Sequence, residues 1–166
     1  MKALDVIKNK ILTKEELIKK SALWRFKSNS IGFTNGCFDI LHQGHIDYLS
    51  KAADKANRLI VGVNSDDSVR SLQKGPERPI QDEWSRAMLI ASLHFVDAVV
   101  IFNEETPFEL IKAVQPEVLV KGSDYQLEEI VGHDIVLKSG GQVERIDFLE
   151  GFSTSGIINK IKSDEG

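Results

Sequence analysis

Thr34-Asn35-Gly36-Cys37-Phe38-Asp39-Ile40-Leu41-His42-Gln43-Gly44-His45 is the stretch that decides the fold of this chain. It reads as the end of a short apolar strand (Ile31 to Thr34), a loop containing glycine, and a helix starting at Gly44 beneath two imidazoles. A glycine between two histidines lets the backbone approach a ligand closely. A helix start offers free N–H groups and the positive end of a dipole, so phosphate fits there. Imidazoles beside it can donate to non-bridging oxygens and stabilise charge on a pentavalent phosphorus. Two other readings compete: an ordinary helix start that happens to hold histidines, and a metal pair three residues apart. The second lacks the cysteines or carboxylates that would complete a zinc set.

Moving outward, strand and helix patterns alternate. Arg58 to Asn64 holds the continuous apolar run LIVGV, typical of a buried parallel strand. Asp82 to Leu93 reads as a helix, Ala98 to Phe102 as a strand, and Pro107 to Ala113 as a helix with proline in its first turn. Glu117 to Lys121 and Gln142 to Asp147 read as further strands, and Ser153 to Lys162 as a final helix. Thr13-Lys14-Glu15-Glu16 has the form of a capping box, opening a helix that ends near Phe26. The pattern predicts a single α/β, Rossmann-like domain: an open, mostly parallel five-stranded sheet with helices on both faces. Residues 1–29 would form a helical segment packed on a domain spanning 30–162, with 163–166 as a frayed tail.

Ligands in such sheets bind at the carboxyl ends of the strands, near a topological switch point. Four segments fall there: Thr34 to His45, Asn64 to Pro79, Lys121 to Tyr125, and Phe148 to Ser155. Lys121, leaving a buried strand before Gly122, either reaches into this site or is an exposed strand-end lysine. Asp124 lies close enough to pair with a base, a ribose or Lys121. Ser153 and Thr154 either cap the last helix or donate to a phosphate. Asp39 either anchors its loop through backbone N–H groups or contacts an acceptor sugar. Cys37 reads as a small packed residue rather than a nucleophile.

The bulk numbers exclude several classes. The 166 residues favour one domain, long enough to build a core without disulfide or metal staples. A net charge of −4 argues against a general nucleic-acid binder. One cysteine allows no internal disulfide. No signal-peptide pattern and no membrane-length apolar run is present, so the expectation is a cytoplasmic protein without a membrane partner.

Taken together, TNGCFDILHQGH, RLIVGVNSD (58–66), ERPI (77–80), SRAMLIASL (85–93), VDAVVIF (96–102), TPFELI (106–111), PEVLVKGSDY (116–125) and EGFSTSGII (150–158) resemble the cytidylyltransferase-like branch of the HxGH nucleotidyltransferase superfamily. The likeness is nearest to the heptose-1-phosphate adenylyltransferases and runs from about Trp24 to Lys162. It implies in-line attack by a sugar 1-phosphate on the α-phosphate of ATP, with Mg²⁺ accompanying the nucleotide. His42, His45 and Lys74 would be catalytic. Thr34, Asn35, Gly36, Phe38, His42, Gly44, His45, Lys121, Gly122, Ser153 and Thr154 would bind the nucleotide. Asp39, Lys74, Arg86 and Asp124 would bind the acceptor, a D-glycero-D-manno-heptose 1-phosphate. A homodimer is implied by the same likeness. In some bacteria this activity is fused to a sugar kinase; 166 residues leave no room for one, so the stand-alone form is expected. The cytidine-using relatives carry a basic residue shortly before the glycine matching Gly151, whereas this chain has Phe148, Leu149 and Glu150. A glycerol-phosphate cytidylyltransferase and a catalytically silent nucleotide sensor are the rival readings.

Overall fold

A computed structural model describes residues 2–73 and 75–163. Five strands form one sheet: β1 (Ile31–Gly36), β2 (Arg58–Asn64), β3 (Ala98–Phe102), β4 (Val118–Gly122) and β5 (Gln142–Ile146). Their order is β3-β2-β1-β4-β5, and every pair is parallel. The chain therefore builds one half of the sheet outward from β1, then returns to lay β4 on its other side. The switch point lies between β1 and β4, directly above the stretch 34–45.

Parallel strands need crossover helices, and these cover both faces. On one face α1 (Ala3–Lys8), α3 (Gln43–Ala53) and α5 (Glu83–Ser92) pack against Leu59, Val61, Val63, Val99 and Val120. On the other, α2 (Lys14–Phe26), α6 (Phe108–Val114) and α7 (His133–Lys138) pack against Phe33, Ile60, Ala98, Val100 and Leu119. Alternate residues of β2 thus point to opposite cores, which is why its sequence shows no polar alternation. Two further helices, α4 (Asp66–Ser71) and α8 (Thr154–Ser163), flank the carboxyl edge.

The capping box opens α2 as its sequence predicts: Glu16 N donates to Thr13 Oγ1 at 3.2 Å, and Thr13 N to Glu16 Oε2 at 2.8 Å. Trp24 packs into the core at 8% exposure, while Phe26 projects at 88%. Before α2, Lys10 to Leu12 runs along the outer edge of β3. Leu12 N donates to Val99 O and Val99 N to Lys10 O, both at 2.8 Å.

Sequence reading omitted α1, α4 and α7, each of six residues. Fewer than two turns is too short for a 3.6-residue period to stand out. The predicted loop after β2 accordingly begins as a helix, capped where Ser68 N donates to Ser65 Oγ. Ser163, assigned to a tail, is the last residue of α8.

Candidate active site

The carboxyl ends of all five strands open into one cavity of about 400 Å³. Its walls come from Asn35 to Asp39 after β1, Asn64, Leu72 and Arg78 after β2, and Glu105 to Pro107 after β3. Lys121, Gly122, Asp124 and Tyr125 follow β4, and Phe148 and Thr154 follow β5. Four converging loops are expected from the sequence; the β3 loop is a fifth. Its apolar strand and the following Pro107 were legible, and the strand-end rule applied to β3 would have found Glu105 and Thr106.

At the centre stands the start of α3. His42 is its N-cap residue, with extended backbone. The rings of His42 and His45 stack at 3.8 Å between centroids and 21° between planes. His45 faces the cavity, with the edge of Phe38 on another side. Its Nδ1 accepts from His42 N at a long 3.4 Å. In the neutral ring this leaves the proton on Nε2, the atom able to donate. His42 lies behind it. Burial holds the His42 imidazole below the usual histidine range, and its Nδ1 is enclosed without a partner among the described residues. Gly44 stands at a close approach: a Cβ there would lie 3.1 Å from the His42 ring and from Phe152 Cβ, and those neighbours would have to give by a few tenths of an ångström.

Thr34 is fully buried rather than lining the site; its Oγ1 shares a 2.8 Å hydrogen bond with Tyr48 OH. The role it takes is to hold Tyr48, whose phenol is pushed up to about 12 by burial, against the lowering effect of that bond. Tyr48 therefore remains an uncharged wall, with Phe148 beside it at 5.4 Å. Asn35, Gly36 and Phe38 line the cavity.

Asp39 takes the anchoring role. It is 1% exposed. Oδ2 accepts from Arg78 Nε at 2.7 Å and Ile80 N at 2.9 Å, and Oδ1 accepts from Gln81 N at 3.0 Å. Its carbonyl accepts from Thr154 Oγ1 at 2.7 Å. One residue thus ties together the loop after β1, residues 78–81 and the start of α8.

Arg86, expected at the acceptor, is likewise turned onto the protein and does not line the cavity. It is completely buried, and its guanidinium is spent on Gln81 O (3.0 Å), Cys37 O (2.6 Å) and Asp66 Oδ1 (2.7 Å). Lys74, expected beside it, lies outside the described residues.

Ser153 is exposed, and its Oγ accepts from Gly156 N at 3.0 Å, so it caps α8. Thr154 reaches the cavity, but its hydroxyl proton goes to Asp39 O. What α8 offers a phosphate is its first backbone N–H groups and dipole end. Lys121 lines the cavity with Nζ 5.6 Å from the Tyr125 ring centroid. Gly122 is needed where it stands, because a Cβ would collide with the Asp124 carboxylate and the Phe148 ring. The described residues contain no group of three or more His, Cys, Asp or Glu that could cage a metal. No helix among them is long and apolar enough to cross a membrane.

Histidines at a helix start, on a sheet ordered 3-2-1-4-5, form an arrangement that can receive a phosphate. The cytidylyltransferase-like family model matches residues 33–160, and the chain belongs to that family. Among curated relatives, the bifunctional protein HldE of Bradyrhizobium sp. is 51% identical over 150 residues, covering 90% of this chain and 30% of that protein. The HldE of Wolinella succinogenes is 51% identical over 153 residues, covering 92% of this chain and 31% of that one. The chain thus spans about a third of the length of these relatives. A solved lipopolysaccharide core biosynthesis protein from Thermoplasma volcanium aligns with a TM-score of 0.64 and 31% identity, over 74% of this chain and 99% of that one. A pantoate-β-alanine ligase from Francisella tularensis shares the fold at a TM-score of 0.58 and 16% identity, over 92% and 77% of the two chains.

Proposed function

We propose that this chain transfers AMP from ATP to D-glycero-D-manno-heptose 1-phosphate, releasing pyrophosphate and forming ADP-heptose. The observation that carries nucleotidyl transfer is the His42–His45 stack at the start of α3, with His45 lining the cavity. The heptose rests on about 51% identity to proteins named HldE and on the absence of a basic residue at 148–150.

In this reading the phosphate of the acceptor attacks the α-phosphorus in line, and the bond to the leaving pyrophosphate breaks. The nucleophile is already ionised, so positioning and charge stabilisation do the work without an enzyme base. His45 Nε2–H donates to a non-bridging α-phosphate oxygen as negative charge builds. His42, neutral because burial disfavours its cation, backs the ring and fixes its plane. Lys121 holds a phosphate or the ribose, and the start of α8 receives the outgoing pyrophosphate. Tyr125 and Phe148, both partly exposed at the β4–β5 side, offer flat surfaces to a purine. No protein cage for magnesium exists among the described residues, so Mg²⁺ would ride on the triphosphate, where it neutralises charge.

A pyrophosphate-release panel tests the assignment: ATP against CTP, crossed with heptose 1-phosphate, glycerol 3-phosphate and riboflavin phosphate. Release with ATP and the heptose phosphate is expected. Activity confined to CTP would overturn the choice of base, and activity confined to glycerol 3-phosphate the choice of acceptor. We also place the protein in the cytoplasm as a homodimer; sedimentation of the purified chain tests the dimer.

A further inference from the structure

Arg78 lies in the cavity wall with 8% of its side chain exposed. Only its Nε is bonded, to Asp39 Oδ2 at 2.7 Å. Neither Nη group donates a hydrogen bond among the described residues. Arg86, eight residues on, places all three of its nitrogens on protein oxygens. A buried guanidinium is costly when its donors go unused, unless something else arrives to take them. Asp39 also serves two backbone donors, so its two oxygens accept three hydrogen bonds in all and only one of them comes from Arg78. By gripping Nε, however, it sets the plane of the guanidinium and leaves the Nη1–Nη2 edge free. That edge matches two oxygens of a phosphate.

We propose that Arg78 is a phosphate-binding residue of the reaction, with Asp39 as the positioning residue that aims it. The inference rests on the nucleotidyl-transfer reading above. Two sources supply the phosphate: the monoester of the acceptor, and the β,γ-phosphates of the triphosphate. If the acceptor is held, the fork takes two oxygens and leaves the third to attack. Asn64, Glu105 and Thr106 line the same cavity and provide hydrogen-bonding partners for a polyhydroxylated body.

The test compares wild type with Arg78→Gln and Arg78→Lys, measuring KM for ATP and for the sugar 1-phosphate separately, with thermal melting alongside. Losing a charge-assisted pair is expected to raise one of the two KM values about tenfold or more in Arg78→Gln. Arg78→Lys should recover part of the loss. The KM that moves identifies the phosphate held. If neither moves in a variant that melts near wild type, the proposal fails. Should Arg78→Gln not fold, the KM values of Arg78→Lys decide by the same criterion. If wild type turns over no sugar phosphate, titration calorimetry with inorganic phosphate and with pyrophosphate replaces kinetics. Loss of about tenfold in affinity for either in a folded variant supports the role, and unchanged affinity for both overturns it.

Discussion

The start of α3 and the knot around Asp39 are neighbours in the chain but spend their polar groups in opposite ways. At α3, His45 faces the cavity, and the helix start leaves backbone donors unused. In the knot, Asp39 and Arg86 place every side-chain oxygen and nitrogen on the protein itself. Groups of the first kind face the cavity; groups of the second kind hold in place whatever faces it. Residue type alone does not separate them, since arginine and aspartate serve either purpose.

Substitutions break this contrast in graded steps. Asp39→Ala leaves Arg78 buried without its counter-charge and frees two backbone N–H groups, so a loss of about 3–5 kcal/mol is expected in urea unfolding. A loss below about 1 kcal/mol would show that the knot is not structural. His45→Ala should lower kcat by about a hundredfold or more, by analogy with loss of one charge-stabilising donor, while the melting temperature hardly changes. Near wild-type turnover would sink the catalytic assignment. Ser153→Ala removes a helix cap and should cost about 1 kcal/mol of stability with KM for ATP unchanged. A rise in that KM would move Ser153 from the second kind of group to the first.

The smallest expected effect concerns pH. Burial lowers the His42 pKa in the folded protein, so the unfolded chain takes up its proton first as pH falls. The neutral ring's contribution is present above the ordinary histidine value of about 6.5 and is lost as pH drops through the lower folded value. His42→Gln should therefore flatten the decline of melting temperature below pH 6.5. An NMR titration of His42 with a midpoint above 6.5 in the ligand-free protein would contradict this direction.

Much of this was legible from the chain. The strands at 58–64 and 98–102 carry long apolar runs because both faces of a parallel sheet are covered, and their bounds agree with the structure. The helix at 14–26 announced itself through its capping box. Legibility failed for six-residue helices, which show no period, and for polar residues whose role depends on distant partners. Thr34 belongs to the signature stretch yet turns inward to Tyr48, fourteen residues away. Arg86 stands among charged residues in a loop-and-helix segment yet ends fully enclosed.

By itself the sequence determined the α/β alternation, the helix start beneath two histidines, and the family. These follow from local pattern: apolar periodicity, capping chemistry, and a glycine where backbone must pass close to an imidazole. Tertiary structure alone decided which charged residues face the cavity. The fates of Asp39, Arg78 and Arg86 are set by hydrogen bonds across 20 to 49 residues of chain, and no local pattern encodes whether a guanidinium's donors will be satisfied from within.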